Sequence, residues 1–185
     1  MDNDAQLIGQ TLAGHSAAFG QLVEKYQDRL FHTVVNVVGN AEDAKDVVQE
    51  TFVQAFLKLE TFAGSSAFYT WVYRIALNMA ITHQRRRSAM RSAETTATND
   101  GRGRVVEDEP GERLDREGRA RHVRRAIARL GEDYRVVLVL REMDGCDYET
   151  IAKILDLPIG TVRSRLHRAR MQLREELKEV LTIEE

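Results

Sequence analysis

Between Ala44 and Leu59 the residues Ala44, Val47, Val48, Thr51, Phe52, Ala55, Phe56 and Leu59 recur at i, i+3 and i+4 spacing without a break. A strand repeats every two residues, so this run commits the segment to an α-helix with one buried face. Asn40 can cap it, and Glu42 and Asp43 fall in the positive first turn. The same period governs most of the chain. It predicts helices near 5–13, 16–38, 41–59, 66–87, 114–130, 133–143, 147–155 and 159–179. Apolar β-branched runs broken by turn dipeptides are scarce, so the fold class is all-α.

One segment breaks the pattern. Residues 88–112, "SAMRSAETTATNDGRGRVVEDEPGE", collect Ser, Thr, Gly, Asp and Glu and read as a flexible acidic linker. They divide the chain into two small helical domains, 1–87 and 113–185. Lys+Arg stand against Asp+Glu as 8 to 9 before residue 88, 3 to 6 within 88–112 and 16 to 14 after it, net charges of −1, −3 and +2. Such a chain does not bind polyanions indiscriminately, only where its arginines cluster. The single cysteine excludes an internal disulfide framework and most cysteine-based metal sites. No apolar run reaches the roughly 18–20 residues that span a bilayer, and the acidic start "MDNDAQ" is unlike a signal peptide. The expectation is a cytoplasmic protein without membrane insertion.

The arginines cluster in "PIGTVRSRLHRARMQLREEL", Pro158 to Leu177, which holds five of them and one histidine. With the preceding "DYETIAKILDL" it reads as a helix-turn-helix, with Asp147 as cap, Asp156-Leu157-Pro158 as the turn, and Ile159, Val162, Leu166, Ala169 and Leu173 as the apolar stripe of the second helix. The stripe turns Arg163, Ser164, His167 and Arg168 outward near the helix start, where a recognition helix meets base edges. The guanidinium fork matches guanine O6 and N7. Arg165, Arg170 and Arg174 lie further round or along and suit phosphate. A merely solvated basic helix would need acids at helical spacing, and none occurs from Leu157 to Arg174.

A helix-turn-helix alone does not separate a repressor from other DNA readers. "SAFYTWVYRIALNMAITHQRRR", Ser66 to Arg87, resembles the promoter-opening helix of bacterial sigma factors. "AEDAKDVVQETFVQAFLKL", Ala41 to Leu59, looks like their polymerase-binding helix, and Leu140 to Arg170 is similar to their promoter-reading C-terminal domain. Order, spacing and short linker resemble the extracytoplasmic-function group, of the sigma-E type. The resemblance implies that 1–87 is sigma domain two and 113–185 sigma domain four. It turns the acidic face bearing Asp43, Asp46, Gln49 and Glu50, otherwise a solvated surface, into a dock for core RNA polymerase.

The resemblance also implies that the loop around Phe62, Ser65, Ser66 and Ala67 forms, with Asn78, a pocket for a base flipped from the single-stranded −10 element. Tyr73 would lie beside that strand, as would Tyr69, and Arg74, Arg85, Arg86 and Arg87 would meet phosphates. Trp71 reads as core. The −35 element would be read as duplex by Arg163, Ser164, Arg165, His167, Arg168 and Arg170. A −35 to −10 separation of about 55 Å at the B-DNA rise needs an extended 25-residue tether of about 85 Å reach rather than a relaxed coil of about 25–30 Å. Thr82-His83 and His167 depart from common family residues and leave the promoter sequence open.

An anti-sigma factor is an expected further partner. No cofactor and no metal site is expected: the five histidines are scattered, and Asp144-Gly145-Cys146-Asp147 reads as helix end and cap rather than a redox or metal motif. The chain is expected not to be an enzyme, catalysis belonging to the polymerase. The competing reading is a stand-alone helix-turn-helix regulator whose N-terminal half oligomerises or senses a ligand.

Overall fold

The computed structural model describes residues 3–64, 66–97 and 116–181. Eight α-helices stand among them: α1 (Asp4–Leu12), α2 (Ser16–Val38), α3 (Ala41–Leu57), α4 (Phe68–Ala97), α5 (Arg116–Arg129), α6 (Glu132–Leu138), α7 (Tyr148–Leu155) and α8 (Ile159–Leu181). A 3₁₀ turn at Leu59–Thr61 closes α3, and a π-helical stretch, Val139–Met143, prolongs α6. The linker expected at 88–112 begins later, because α4 runs on to Ala97. Neither Gly nor Pro interrupts residues 88–97, and Ala, Met, Arg and Glu there favour continuation. The remainder of the expected linker lies outside the described residues.

The N-terminal unit is a bundle of α1 to α4. Leu22, Leu30, Val34 and Val37 of α2 are buried against Ala44, Val47, Phe52 and Ala55 of α3 and Phe68, Val72, Ala76 and Leu77 of α4. Gly39 ends α2 at φ 77°, a conformation costly to any residue with a Cβ. Asn40 Oδ1 then accepts from the amides of Glu42 at 2.8 Å and Asp43 at 3.2 Å, the expected cap of α3. α1 is pinned by Asp4, whose carboxylate accepts from Lys25 at 2.5 Å and from the Tyr26 hydroxyl. Burial and the Asp4 bond push the Tyr26 phenol up to about 12.

Phe56, expected on the buried stripe, is instead 45% exposed. Its ring stacks edge-to-face on Phe19 at 5.1 Å and lies at the rim of the bundle.

The C-terminal unit packs α6 and its π-helical stretch against α7 and α8. Val137 and Leu140 meet Ile151, Ile154, Val162, Leu166 and Ala169 in its core. The two units touch: α4 packs on α7, and α2 on α5, α6 and the π-helical stretch. Among the described residues no helix is long and apolar enough to cross a membrane.

Candidate nucleic-acid interface

The helix-turn-helix forms as its sequence dictates. Asp147 Oδ1 accepts from the Thr150 amide at 2.7 Å and caps α7, and that bond holds the Asp147 carboxyl below the usual range. Asp156 ends α7 in the left-handed region, at φ 55°, and Pro158 accepts the first turn of α8 through its carbonyl, from Thr161 at 2.9 Å. Val162, Leu166 and Ala169 are buried against Ile151 and Ile154. Ile159 sits at the margin of that stripe, partly exposed.

This packing leaves Arg163, Ser164, His167 and Arg168 exposed on one side of α8. Ser164 turns its hydroxyl back to the Thr161 carbonyl at 3.0 Å. Among the described residues Arg163 and Arg168 make no hydrogen bond or ion pair. Arg165 and Arg170 behave differently. Arg165 donates to Asp133 at 2.9 Å, and Arg170 to Glu142 at 2.6 Å, a bond that raises the Arg170 guanidinium further. The acids missing from α8 in sequence therefore come from α6 and its extension through space, and they neutralise two of the arginines expected to touch DNA. Sequence spacing carries no signal for this, since it depends on the angle at which α8 crosses α6.

The set on α4 expected to face a single strand is arranged less openly. Asn78 and Arg86 are exposed, and so is Ala67; Ser66 is half-buried, and Ser65 lies outside the described residues. The Phe62 ring packs beside Phe68 and Trp71, with centroids at 5.8 and 5.3 Å, and Trp71 joins the core as expected. Tyr73 does not lie free for a strand. It is fully buried, and burial pushes its phenol well above the usual range. The signal was present: Tyr73 continues the stripe Val72, Ala76, Leu77, Ala80 at helical spacing. Arg74 donates through Nε, at 3.2 Å, and Nη2 to the carbonyl of Lys153 on α7. Arg85 pairs with Glu132 at 2.9 Å.

On α3 the side chains of Asp46, Gln49 and Glu50 are exposed, whereas Asp43 accepts from Arg87. Beside them runs an apolar groove of about 710 Å³ between α2 and α3, lined by Phe19, Val23, Phe31, Phe52, Val53 and Phe56 among others. The acidic face drew attention away from this groove. Its trace in the sequence is Val53, Phe56 and Leu57, a second apolar edge at i, i+3 and i+4 beside the main stripe.

Residues 22–90 match the family model Sigma-70 region 2, and residues 120–173 match Sigma-70, region 4. The chain is 39% identical over 186 residues to the RNA polymerase sigma-H factor of Pseudomonas aeruginosa, covering 97% of this chain and 96% of that one. It is 40% identical over 173 residues to the ECF RNA polymerase sigma-E factor of Escherichia coli K12, covering 90% of each. The chain belongs to the extracytoplasmic-function RNA polymerase sigma factors.

Among solved structures, this sigma factor is similar to CnrH in complex with the cytosolic domain of CnrY. The TM-score is 0.72 and the identity 29%, covering 96% of this chain and 99% of that one. It is also similar to the sigma factor RpoE of Bartonella quintana in complex with the anti-sigma factor NepR, with TM-score 0.66 and identity 26%, covering 86% and 96%. The likeness runs through both units, so a stand-alone helix-turn-helix regulator is not favoured.

Proposed function

We propose that this sigma factor carries core RNA polymerase to its promoters, reads a duplex −35 element with α8 and opens the −10 element with α4 and the loop before it. Arg163, Ser164, His167 and Arg168 do the sequence reading, because they stand outward near the start of the recognition helix, the two arginines unpaired among the described residues. Arg165 and Arg170 hold α8 to its own unit and meet phosphate only if they leave Asp133 and Glu142. On α4, Asn78 offers a paired donor and acceptor to an unstacked base. Arg86 is open to phosphate, Arg74 and Arg85 become so when their present partners let go, and Tyr73 supports the helix from within.

Polymerase docks on α3. Asp46, Gln49 and Glu50 supply polar contacts, Asp43 shares its charge with Arg87, and the neighbouring apolar groove offers the buried area that polar residues alone would lack. The chain brings recognition and strand separation and leaves phosphodiester chemistry to the polymerase, in the cytoplasm where that enzyme works. Two similar proteins have been solved with protein partners, CnrH with the cytosolic domain of CnrY and the sigma factor RpoE with the anti-sigma factor NepR, and a restraining partner of the latter kind belongs to the same reading.

The observation that carries the proposal is the outward row on α8, with Arg163 and Arg168 unpaired, within a chain whose other half matches region 2. Run-off transcription tests it: purified chain added to core polymerase should produce specific transcripts from a promoter library. A chain that binds duplex DNA tightly alone and never associates with core would overturn it.

A further inference from the structure

Where the last turn of α2 and the second half of α4 meet the junction of α5 and α6 lies a cavity of about 460 Å³. Three guanidiniums line it, Arg85 and Arg87 of α4 and Arg135 of α6, against one carboxylate, Glu132. Val38 and Leu130 give it apolar walls.

The three cations are not equally matched. Arg85, its side chain 71% exposed, pairs with Glu132 at 2.9 Å, and Arg87 pairs with Asp43 of α3. Among the described residues Arg135 bonds only to neutral carbonyls. Its Nη1 donates to Val37 at 2.8 Å, and its Nη2 to Ala128 at 2.7 Å and Leu130 at 2.9 Å. Its Nε is buried without a partner. Gln84 donates to the same Val37 carbonyl at 2.8 Å, so that oxygen is already shared.

Three guanidiniums therefore stand against two carboxylates, and the surplus charge is the one on Arg135. A partly buried cation held only by dipoles is destabilised until an anion comes near. Burial accordingly pulls the Arg135 guanidinium below its usual range, and the Glu132 charge opposes that without cancelling it. A diphosphate suits such a place. It carries several negative charges on closely spaced oxygens, and guanidinium forks match phosphate oxygens two at a time. It can also draw Arg85 from Glu132, because an exposed ion pair contributes little.

We propose that this cavity binds a diphosphate group, free or at the end of a nucleotide, between Arg85 and Arg87 on one side and Arg135 on the other. The site goes beyond promoter reading and adds a small-molecule ligand to a protein whose other ligands are polymers.

Isothermal titration calorimetry of inorganic pyrophosphate into the full-length chain, at constant ionic strength, tests the site. Saturable binding at one site per chain is expected, at least about tenfold tighter than binding of sulfate, which offers fewer charges and oxygens. Arg135→Gln removes the surplus charge and should weaken binding about tenfold or more. Arg85→Ala, at an exposed position, should weaken it by about threefold, and it serves if Arg135→Gln fails to regain its helical circular dichroism. Glu132→Gln removes the carboxylate of the lining and releases Arg85, so it should tighten binding by about threefold or more, a gain that a damaged fold does not produce. Adenosine diphosphate separates the two sources: binding tighter than that of pyrophosphate assigns the cavity to a nucleotide, and weaker binding assigns it to the free ion. Pyrophosphate that binds no better than sulfate would overturn the site. So would binding that neither Arg85→Ala nor Glu132→Gln alters, since the anion would then sit among other arginines. The titration contains no DNA and no polymerase, so its failure leaves the run-off result standing, and a failed run-off leaves the cavity standing.

Discussion

The two helices proposed to face DNA spend their arginines in opposite ways. On α8, Arg163 and Arg168 point to solvent unpaired, while Arg165 and Arg170 are tied to acids of the same unit. On α4, Arg74 and Arg85 are tied to the other unit and only Arg86 of the expected −10 set stands free. A duplex reader can stay ready, because its ligand is always a duplex of one shape. A strand-binding surface held open would bind any single-stranded nucleic acid through its cations, so a chain gains selectivity by covering it.

The largest effect that can break this contrast comes from the cores. Leu166→Ala removes a buried side chain of α8 and should cost about 2–5 kcal/mol, lowering the melting of the C-terminal unit in calorimetry. If the units are joined only by a separable polar interface, the N-terminal transition should move little; a common shift of both would make them one cooperative body.

Smaller but more specific are the base contacts. Arg163→Ala and Arg168→Ala should each weaken recognition of the −35 element by about 1–3 kcal/mol and relax preference at one base pair. A uniform loss over all sequences would make them phosphate contacts. Arg165→Ala removes a surface ion pair and should change binding and stability by less than about 1 kcal/mol, an outcome that separates the tied arginines from the free ones.

The finest probe is pH. Burial raises the Asp144 carboxyl above its ordinary value, while the Thr33 hydroxyl and the nearby Arg29 and His32 oppose that rise. Tyr73 and Cys146 face the same carboxyl. A carboxyl whose pKa is higher in the packed structure favours packing fully below its ordinary range and loses that contribution as pH rises through the raised value. Acidification from neutrality should therefore slow maleimide labelling of the buried Cys146 thiol beyond what the falling thiolate fraction explains. Asp144→Asn should remove the excess; a dependence that survives it would take the effect away from Asp144.

Helix positions were legible because each rests on a local rule: the gapless stripe of α3, the Asn40 and Asp147 caps, the Pro158 start of α8. The outward placement of Arg163, Ser164, His167 and Arg168 on α8 was legible for the same reason, since one apolar stripe fixes the opposite face. What escaped depends on packing across the chain. Tyr73 reads as a strand-side aromatic until α2 and Asp144 enclose it. Phe56 fits the stripe of α3 but falls at its rim, where it opens a groove instead of filling a core. The partners of Arg74, Arg165 and Arg170 lie 79, 32 and 28 residues away, beyond any helical period. The continuation of α4 past residue 87 was hidden by Ser and Thr, which mark loops in general and yet are tolerated in a helix free of Gly and Pro.

The most direct measurement compares one single-stranded −10 oligonucleotide on the isolated chain and on the holoenzyme. The account predicts weak binding by the chain alone and binding at least about tenfold tighter by the holoenzyme. Equal binding by both would contradict it.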